Sequence, residues 1–287
     1  MPTTRSTATA DGIDVEYEGH GEGRPLVLLH GGMAPREYWR PAIPHFEAFA
    51  AVVPQRPGFG TCLDDPEETG PDEVLDREVA YVRALVEDLT DDATDGDEKP
   101  VLLGHSFGAL TAIETVRALT ADGEGDAIDA VVAYEPAVLP EPFAEHADLA
   151  DRMQERLDDG DREGAMKLYV EQVVCAGAVD DLDAWLAEWP VWPDCVDLLE
   201  EVIRMNRAVE RYELPERLAV DAPALVLTGT DGPEFLRESA RAVHDALPSS
   251  RFVEFDGVSH SGPSEAPART TDEMRAFLRE RRLASRQ

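Results

Sequence analysis

Between an apolar run and the start of a helical segment the chain places Gly104-His105-Ser106-Phe107-Gly108, and no other feature restricts its fold as much. Val101 to Gly104 (VLLG) reads as a strand buried on both faces, and Phe107 to Leu119 reads as a helix. Ser106 must then occupy a turn short enough to join the two directly. Such a turn strains the backbone at its centre, while the flanking glycines let helix and strand pack closely and the hydroxyl projects from the end of the sheet. The helix N-terminus adds partial positive charge beside an oxygen losing its proton. A bare G-x-S-x-G is most often an ordinary turn; its place after VLL and before a helix makes Ser106 the candidate nucleophile.

Short apolar runs alternate with longer amphipathic stretches along most of the chain, the pattern of a parallel sheet wound with helices on both faces. Beyond an early strand pair around Ile13 to Glu18, strands are predicted at Pro25 to His30, Ala50 to Pro54, Val101 to Gly104, Ala130 to Tyr134, Ala224 to Thr228 and Arg251 to Phe255. Helices read at about Asp72 to Asp88, Phe107 to Leu119, Phe235 to Ala246 and Thr271 to Leu283. From Pro140 to about Pro215 no strand-like run occurs, only helical periodicity, so this interval is an insertion expected to lie over one end of the sheet. The division expected is a core of 11–139 and 216–285 with a helical insertion of 140–215. Trp185, Trp189 and Trp192 either line a pocket beneath it or pack its own core. The acidic stretch Asp91 to Glu98 lacks the ligand spacing of a calcium loop and reads as a solvated loop.

Two further segments carry candidate chemistry. His30-Gly31-Gly32-Met33 ends an early strand, where glycines let the backbone approach a ligand; the N–H groups of Met33 and Phe107 together form a candidate oxyanion hole. His260 follows the last strand in Phe255-Asp256-Gly257-Val258-Ser259-His260 and is the candidate base, since a serine hydroxyl needs a near-neutral imidazole to take its proton. His30, Gly32 and His105 are expected to line the site by neighbourhood.

With HGG, G-x-S-x-G and a late histidine in this order, the chain resembles the α/β-hydrolase family over about Asp11 to Leu283. Gln55-Arg56-Pro57-Gly58-Phe59-Gly60 is similar to the family's Asp-x-x-Gly-x-Gly loop, with Gln55 in place of the acid. The resemblance implies a mostly parallel eight-stranded sheet flanked by helices, an all-helical cap between strands 6 and 7, and a Ser-His-acid triad. It does not by itself choose the acid. Most relatives carry one after the next-to-last strand in a Gly-x-x-Asp stretch; here Gly229-Thr230-Asp231-Gly232 puts Asp231 one place early and Gly232 in the slot. Other relatives carry it after the preceding strand, where this chain has Glu135 ahead of Pro136, a placement that needs no shift of register. Both are candidates, Glu135 preferred. The implied activity is cofactor-free, metal-free cleavage of an ester, lactone or related acyl bond of a small molecule, although relatives also hydrolyse C–C bonds or act as perhydrolases and lyases.

Composition bears on partners. The 60 Asp and Glu against 26 Lys and Arg give a formal charge of −34, and Lys99 and Lys167 are the only lysines. Repulsion of this kind is screened in concentrated salt, so the composition is similar to cytoplasmic proteins of salt-accumulating halophiles. It disfavours nucleic acid and anionic membranes, whose phosphates require cations. Cys62, Cys175 and Cys195 fit neither a disulfide framework nor a zinc spacing. A soluble cytoplasmic monomer or homodimer is expected.

Overall fold

The computed structural model describes residues 3–8, 12, 14–33, 35–56, 73–91, 99–175, 179–189 and 192–284. Stretches such as PLVLL and VLLGH have no polar alternation, which suits strands covered on both sides, and Leu26, Val27, Leu28 and Leu29 are all fully buried. Burial of each such side chain contributes roughly 1.5–3 kcal/mol. The strands are β1 (Thr3–Ala8), β2 (Asp14–His20), β3 (Arg24–Leu29), β4 (Phe49–Pro54), β5 (Val101–His105), β6 (Ala130–Tyr134), β7 (Ala224–Gly229) and β8 (Ser250–Phe255). They form one sheet in the order β1-β2-β4-β3-β5-β6-β7-β8. β1 and β2 run antiparallel to their neighbours, and β3 to β8 are paired in parallel.

The described helices are α1 (Val74–Asp91), α2 (Phe107–Ala121), α3 (Leu149–Asp158), α4 (Arg162–Tyr169), α5 (Leu182–Glu188), α6 (Leu199–Arg211), α7 (Glu234–Ala246), α8 (Gly262–Glu265) and α9 (Pro267–Ala284). Alternate strand residues feed two cores. Val27 and Leu29 pack with Tyr81, Leu85, Ile113 and Val243 on one face, and Leu26 and Leu28 pack with Trp39, Phe46, Met274 and Phe277 on the other. A third apolar cluster lies within α3 to α6, between β6 and β7 in the chain, and includes Met33 from the end of β3. Among the described residues this interval holds helices and no strand. Trp185, Trp189 and Trp192 pack against that cluster, with the first two rings 5.0 Å apart.

One strand differs from expectation. The early pair is formed by Thr3–Ala8 against Asp14–His20, so the strand extends back into the Thr-rich terminus rather than lying wholly around Ile13 to Glu18. β1 is an exposed edge strand, and a strand that buries neither face leaves no apolar pattern to read. Its polar threonines and serine suit that position. No helix among the described residues is long and apolar enough to cross a membrane.

The chain order reverses across β3 and β5. From β3 the chain steps outward to β4, then returns past β3 to β5 and continues the other way through β6, β7 and β8. Loops leaving the carboxyl ends of β3 and β5 therefore diverge, and the gap between them is where open α/β sheets bind ligands. His30–Met33 and Ser106 are the residues at those two ends.

Candidate active site

Ser106 joins β5 to α2 with φ 54° and ψ −120°, a conformation that costs a non-glycine residue strain. The flanking glycines explain how the turn fits. A Cβ on Gly108 would run into the carbonyl oxygens of Leu29 and His30, and one on Gly104 would strike the backbone of Gly108 and Ala109. The first turn of α2 thus rests directly on the end of β3. Phe107 N–H is the first of the helix, where amides lack intrahelical acceptors, and among the described residues no turn or loop bond takes up the N–H of Phe107 or Met33.

Glu135 caps β6 in the same way that Ser106 caps β5, again with positive φ, here 43°. Its carboxylate is fully buried and fully partnered. Oε1 accepts from Thr228 Oγ1 at 2.8 Å and from the Gly229 N–H at 3.1 Å, and Oε2 accepts from His260 Nδ1 at 2.6 Å. With Nδ1 donating, the lone pair of the neutral imidazole lies on Nε2. The loop carrying His260 is held by Tyr134, whose hydroxyl donates to the Ser259 carbonyl at 2.6 Å, and by His105, whose Nε2 donates to the His260 carbonyl at 2.8 Å. Tyr38, His105 and His260 form a column of rings with centroids 4.7 and 4.5 Å apart. Among the described residues no hydrogen bond joins Ser106 Oγ to the imidazole. His105, the residue before Ser106, is the stacking partner of the His260 ring.

Asp231, the other candidate acid, is not brought to the histidine. It is exposed, its N–H donates to the Val258 carbonyl, and its Oδ1 accepts from Thr230 Oγ1. The reason lies one residue on. A Cβ on Gly232 would fall on Glu135 Oε1, so the space beside position 232 is filled by a carboxylate arriving from the neighbouring strand. The sequence signals for this arrangement were Glu135 before Pro136 and the missing acid at Gly232; nothing in the sequence pointed to Tyr134, Thr228 or Tyr38.

A cavity of about 250 Å³ opens beside Ser106, with Gly32, Ser106 and Phe107 at one end, Val138 and Leu236 from the sheet side, and Tyr169, Met205 and Val209 from the helices between β6 and β7. None of His30, His105, Met33 and His260 is among the residues lining it. His30 is turned inward, its Nδ1 donating to the Gly31 carbonyl, and His105 serves the His260 loop. The Pro57–Gly60 part of the family-like loop, and Cys62, lie outside the described residues. Among the described residues no cluster of His, Cys, Asp or Glu is arranged to hold a metal.

Burial, with Arg56 nearby in one case and His260 in the other, pushes His30 and His105 well below the ordinary histidine pKa of 6.5. The unfolded chain binds protons below pH 6.5 that these two rings refuse, so stability must fall as pH drops through that value. Urea unfolding in molar KCl is expected to show a loss of about 2–3 kcal/mol between pH 7.5 and 5.5. A flat profile over that interval would mean that the folded protein protonates both rings.

The Alpha/beta hydrolase family matches residues 26–273, which hold most of β3, all of β4 to β8 and both ends of the site. The chain belongs to the alpha/beta hydrolase family. Among α/β hydrolases of known structure it is similar to one from Sphaerobacter thermophilus DSM 20745, with a TM-score of 0.72 and 20% identity, over 93% of this chain and 99% of that one. The enol-lactonase of Burkholderia xenovorans LB400 is similar at a TM-score of 0.69 and 19% identity, over 96% of this chain and 99% of that one. At this identity the likeness is one of fold. A pimeloyl-[acyl-carrier protein] methyl ester esterase from Legionella pneumophila (strain Paris) is 29% identical over 102 residues, which is 35% of this chain and 35% of that one. The chain thus matches about a third of the length of that curated relative.

Proposed function

We propose that this α/β hydrolase is a cofactor-independent serine hydrolase cleaving an ester or lactone of a small organic acid, with Ser106, His260 and Glu135 as its triad. The buried Glu135–His260 pair carries the reading: it fixes one imidazole tautomer, with its basic nitrogen free, at the sheet end where a strained serine stands. Ser106 Oγ attacks the substrate carbonyl carbon while His260 Nε2 takes its proton. This transfer requires the Ser106 hydroxyl within hydrogen-bond reach of Nε2. The amides of Met33 and Phe107 receive the oxyanion, each donor worth about 3–4 kcal/mol in comparable sites. The proton then passes to the departing alkoxide, and a water deprotonated by His260 releases the acid and regenerates the serine.

The helices between β6 and β7 act as a cap. They supply one wall of the cavity, on which Leu149, Val173, Met205 and Val209 stand with the polar or charged Asp148, Arg152, Gln172, Asn206 and Glu210. The cavity volume suits small to medium acyl chains. The acidic surface fits work in concentrated salt, and assays belong there.

A fluorophosphonate probe tests the reading with one covalent event, because phosphonylation requires an activated serine. In molar KCl the label is expected on the peptide containing Ser106, identified by mass spectrometry. Folded protein that takes no label, or takes it at another residue, contradicts the assignment and favours a ligand-binding member of the family.

A further inference from the structure

Arg56 follows β4 with its guanidinium completely buried. A buried cation is not an efficient stabiliser, since a well-packed apolar residue often serves as well, so its contacts bear on what it does. Nε donates to Glu78 Oε2 of α1 at 2.8 Å. Nη1 donates to the carbonyl oxygen of His30 at 2.5 Å and lies 3.4 Å from that of Gly31. Nη2 approaches Met205 Sδ at 3.6 Å, and the guanidinium carbon stands 5.2 Å from the centre of the Phe107 ring. One group therefore touches both segments assigned to the oxyanion hole, the turn after β3 and the residue after the serine.

We propose that Arg56 is the positioning residue of the oxyanion hole, and that Glu78, Arg77 and Glu201 tie it to the cap. The proposal rests on the reading of Ser106 as nucleophile and of the Met33 and Phe107 amides as donors. A peptide unit is planar and trans, so its carbonyl and N–H point in opposite directions. Holding the His30 and Gly31 carbonyls on the guanidinium turns the N–H groups of Gly31 and Gly32 away from Arg56 and fixes how the chain enters Met33. The turn needs such a hold. Two consecutive glycines offer little resistance to rotation of the peptide between them, and a flip there would redirect the next peptide, Gly32–Met33, which carries the Met33 donor. The adjacent cation also strengthens the hydrogen-bonded peptides it contacts.

The chain of charges continues outward. Arg77 lies 3.8 Å from Glu78 and donates to Glu201 Oε1 on α6 at 2.6 Å, and Glu201 also pairs with Arg204. These groups are buried or nearly so, out of reach of salt screening. Met205, adjacent to Arg204 on the same helix, both meets Arg56 and lines the cavity, and the Met33 side chain packs in the cap cluster. The cap wall and the oxyanion turn are thus parts of one connected arrangement.

The test compares Arg56→Met, Arg56→Lys and Glu78→Gln in molar KCl, using p-nitrophenyl butyrate as substrate and an alkyl trifluoromethyl ketone as a probe that forms an oxyanion on Ser106. Arg56→Met is expected to lower kcat about 100-fold, the size of effect seen when one oxyanion donor is lost, with KM within about threefold. Ketone affinity should fall in parallel, Arg56→Lys should recover at least tenfold of the loss, and Glu78→Gln should lie between. A distant core variant, Val243→Ala, matched for loss of Tm, should keep its kcat. An Arg56→Met enzyme with kcat within threefold of wild type overturns the proposal. Where that variant does not fold, unchanged ketone affinity in both Arg56→Lys and Glu78→Gln overturns it. Wild-type protein that takes no fluorophosphonate at Ser106 removes the hydrolase reading and this one with it, whereas labelled wild type with unaffected variants removes this one alone.

Discussion

Ser106→Ala and His260→Ala are each expected to lower kcat for a small ester by about 10⁵-fold, and the double variant by no more than either alone. The hydroxyl has no nucleophilic strength at neutral pH until a base takes its proton, and the base has no task once the hydroxyl is gone. The two groups therefore form one device, and losing one half forfeits the whole. What survives is the work of the oxyanion amides on an attacking water, which accounts for activity remaining above the uncatalysed rate. Tm should change little in Ser106→Ala, since the residue's backbone strain remains while only a hydroxyl is lost. Steady-state kinetics of the three variants decide the matter: a double variant losing the product of the two single losses would show that serine and histidine act independently, and the triad would be wrong.

How far this site could be read beforehand depended on whether each residue's role leaves a local pattern. Ser106 did, because a strand-to-helix turn with no room for side chains demands glycines at fixed offsets, and Gly104 and Gly108 answer to the backbone of Gly108 and the carbonyls of Leu29 and His30. The central strands did as well, because burial on both faces leaves runs such as PLVLL and AVVAY. β1 did not, being a polar edge strand that buries neither face. The orientations of His30 and His105 left no such pattern. Sequence places them beside the reacting groups, but whether a side chain faces a cavity or the protein interior is set by the packing of β3 against α2 and of Tyr38 against His105. The Arg56 network was likewise invisible, since its members come from positions 56, 77, 78 and 201 and are joined only by folding.

Glu135→Gln is expected to lower kcat by about 10⁴-fold while Asp231→Asn stays within about threefold of wild type, measured side by side with folding checked by Tm. The amide can present its NH₂ to Nδ1 and so favour the tautomer whose Nε2 is already protonated, which leaves Ser106 without a base. The crowding at Gly232 permits a sharper test. Because a Cβ there meets Glu135 Oε1, Gly232→Asp alone should damage the enzyme twice over, by displacing the carboxylate and by setting a second negative charge against it. In a Glu135→Ala background the same substitution enters vacated space, at a backbone position whose φ does not require glycine, and carries an acid into the slot that most family members use. Glu135→Ala/Gly232→Asp should then exceed Glu135→Ala by at least about tenfold in kcat, an effect comparable with one charge-assisted hydrogen bond to the imidazole. Harm in one background and rescue in the other can arise only if the two positions compete for one site beside His260. If Gly232→Asp is equally harmful in both, the carboxylate at 135 is a structural anchor for the Thr228–Gly229 turn, and the histidine is oriented by something else.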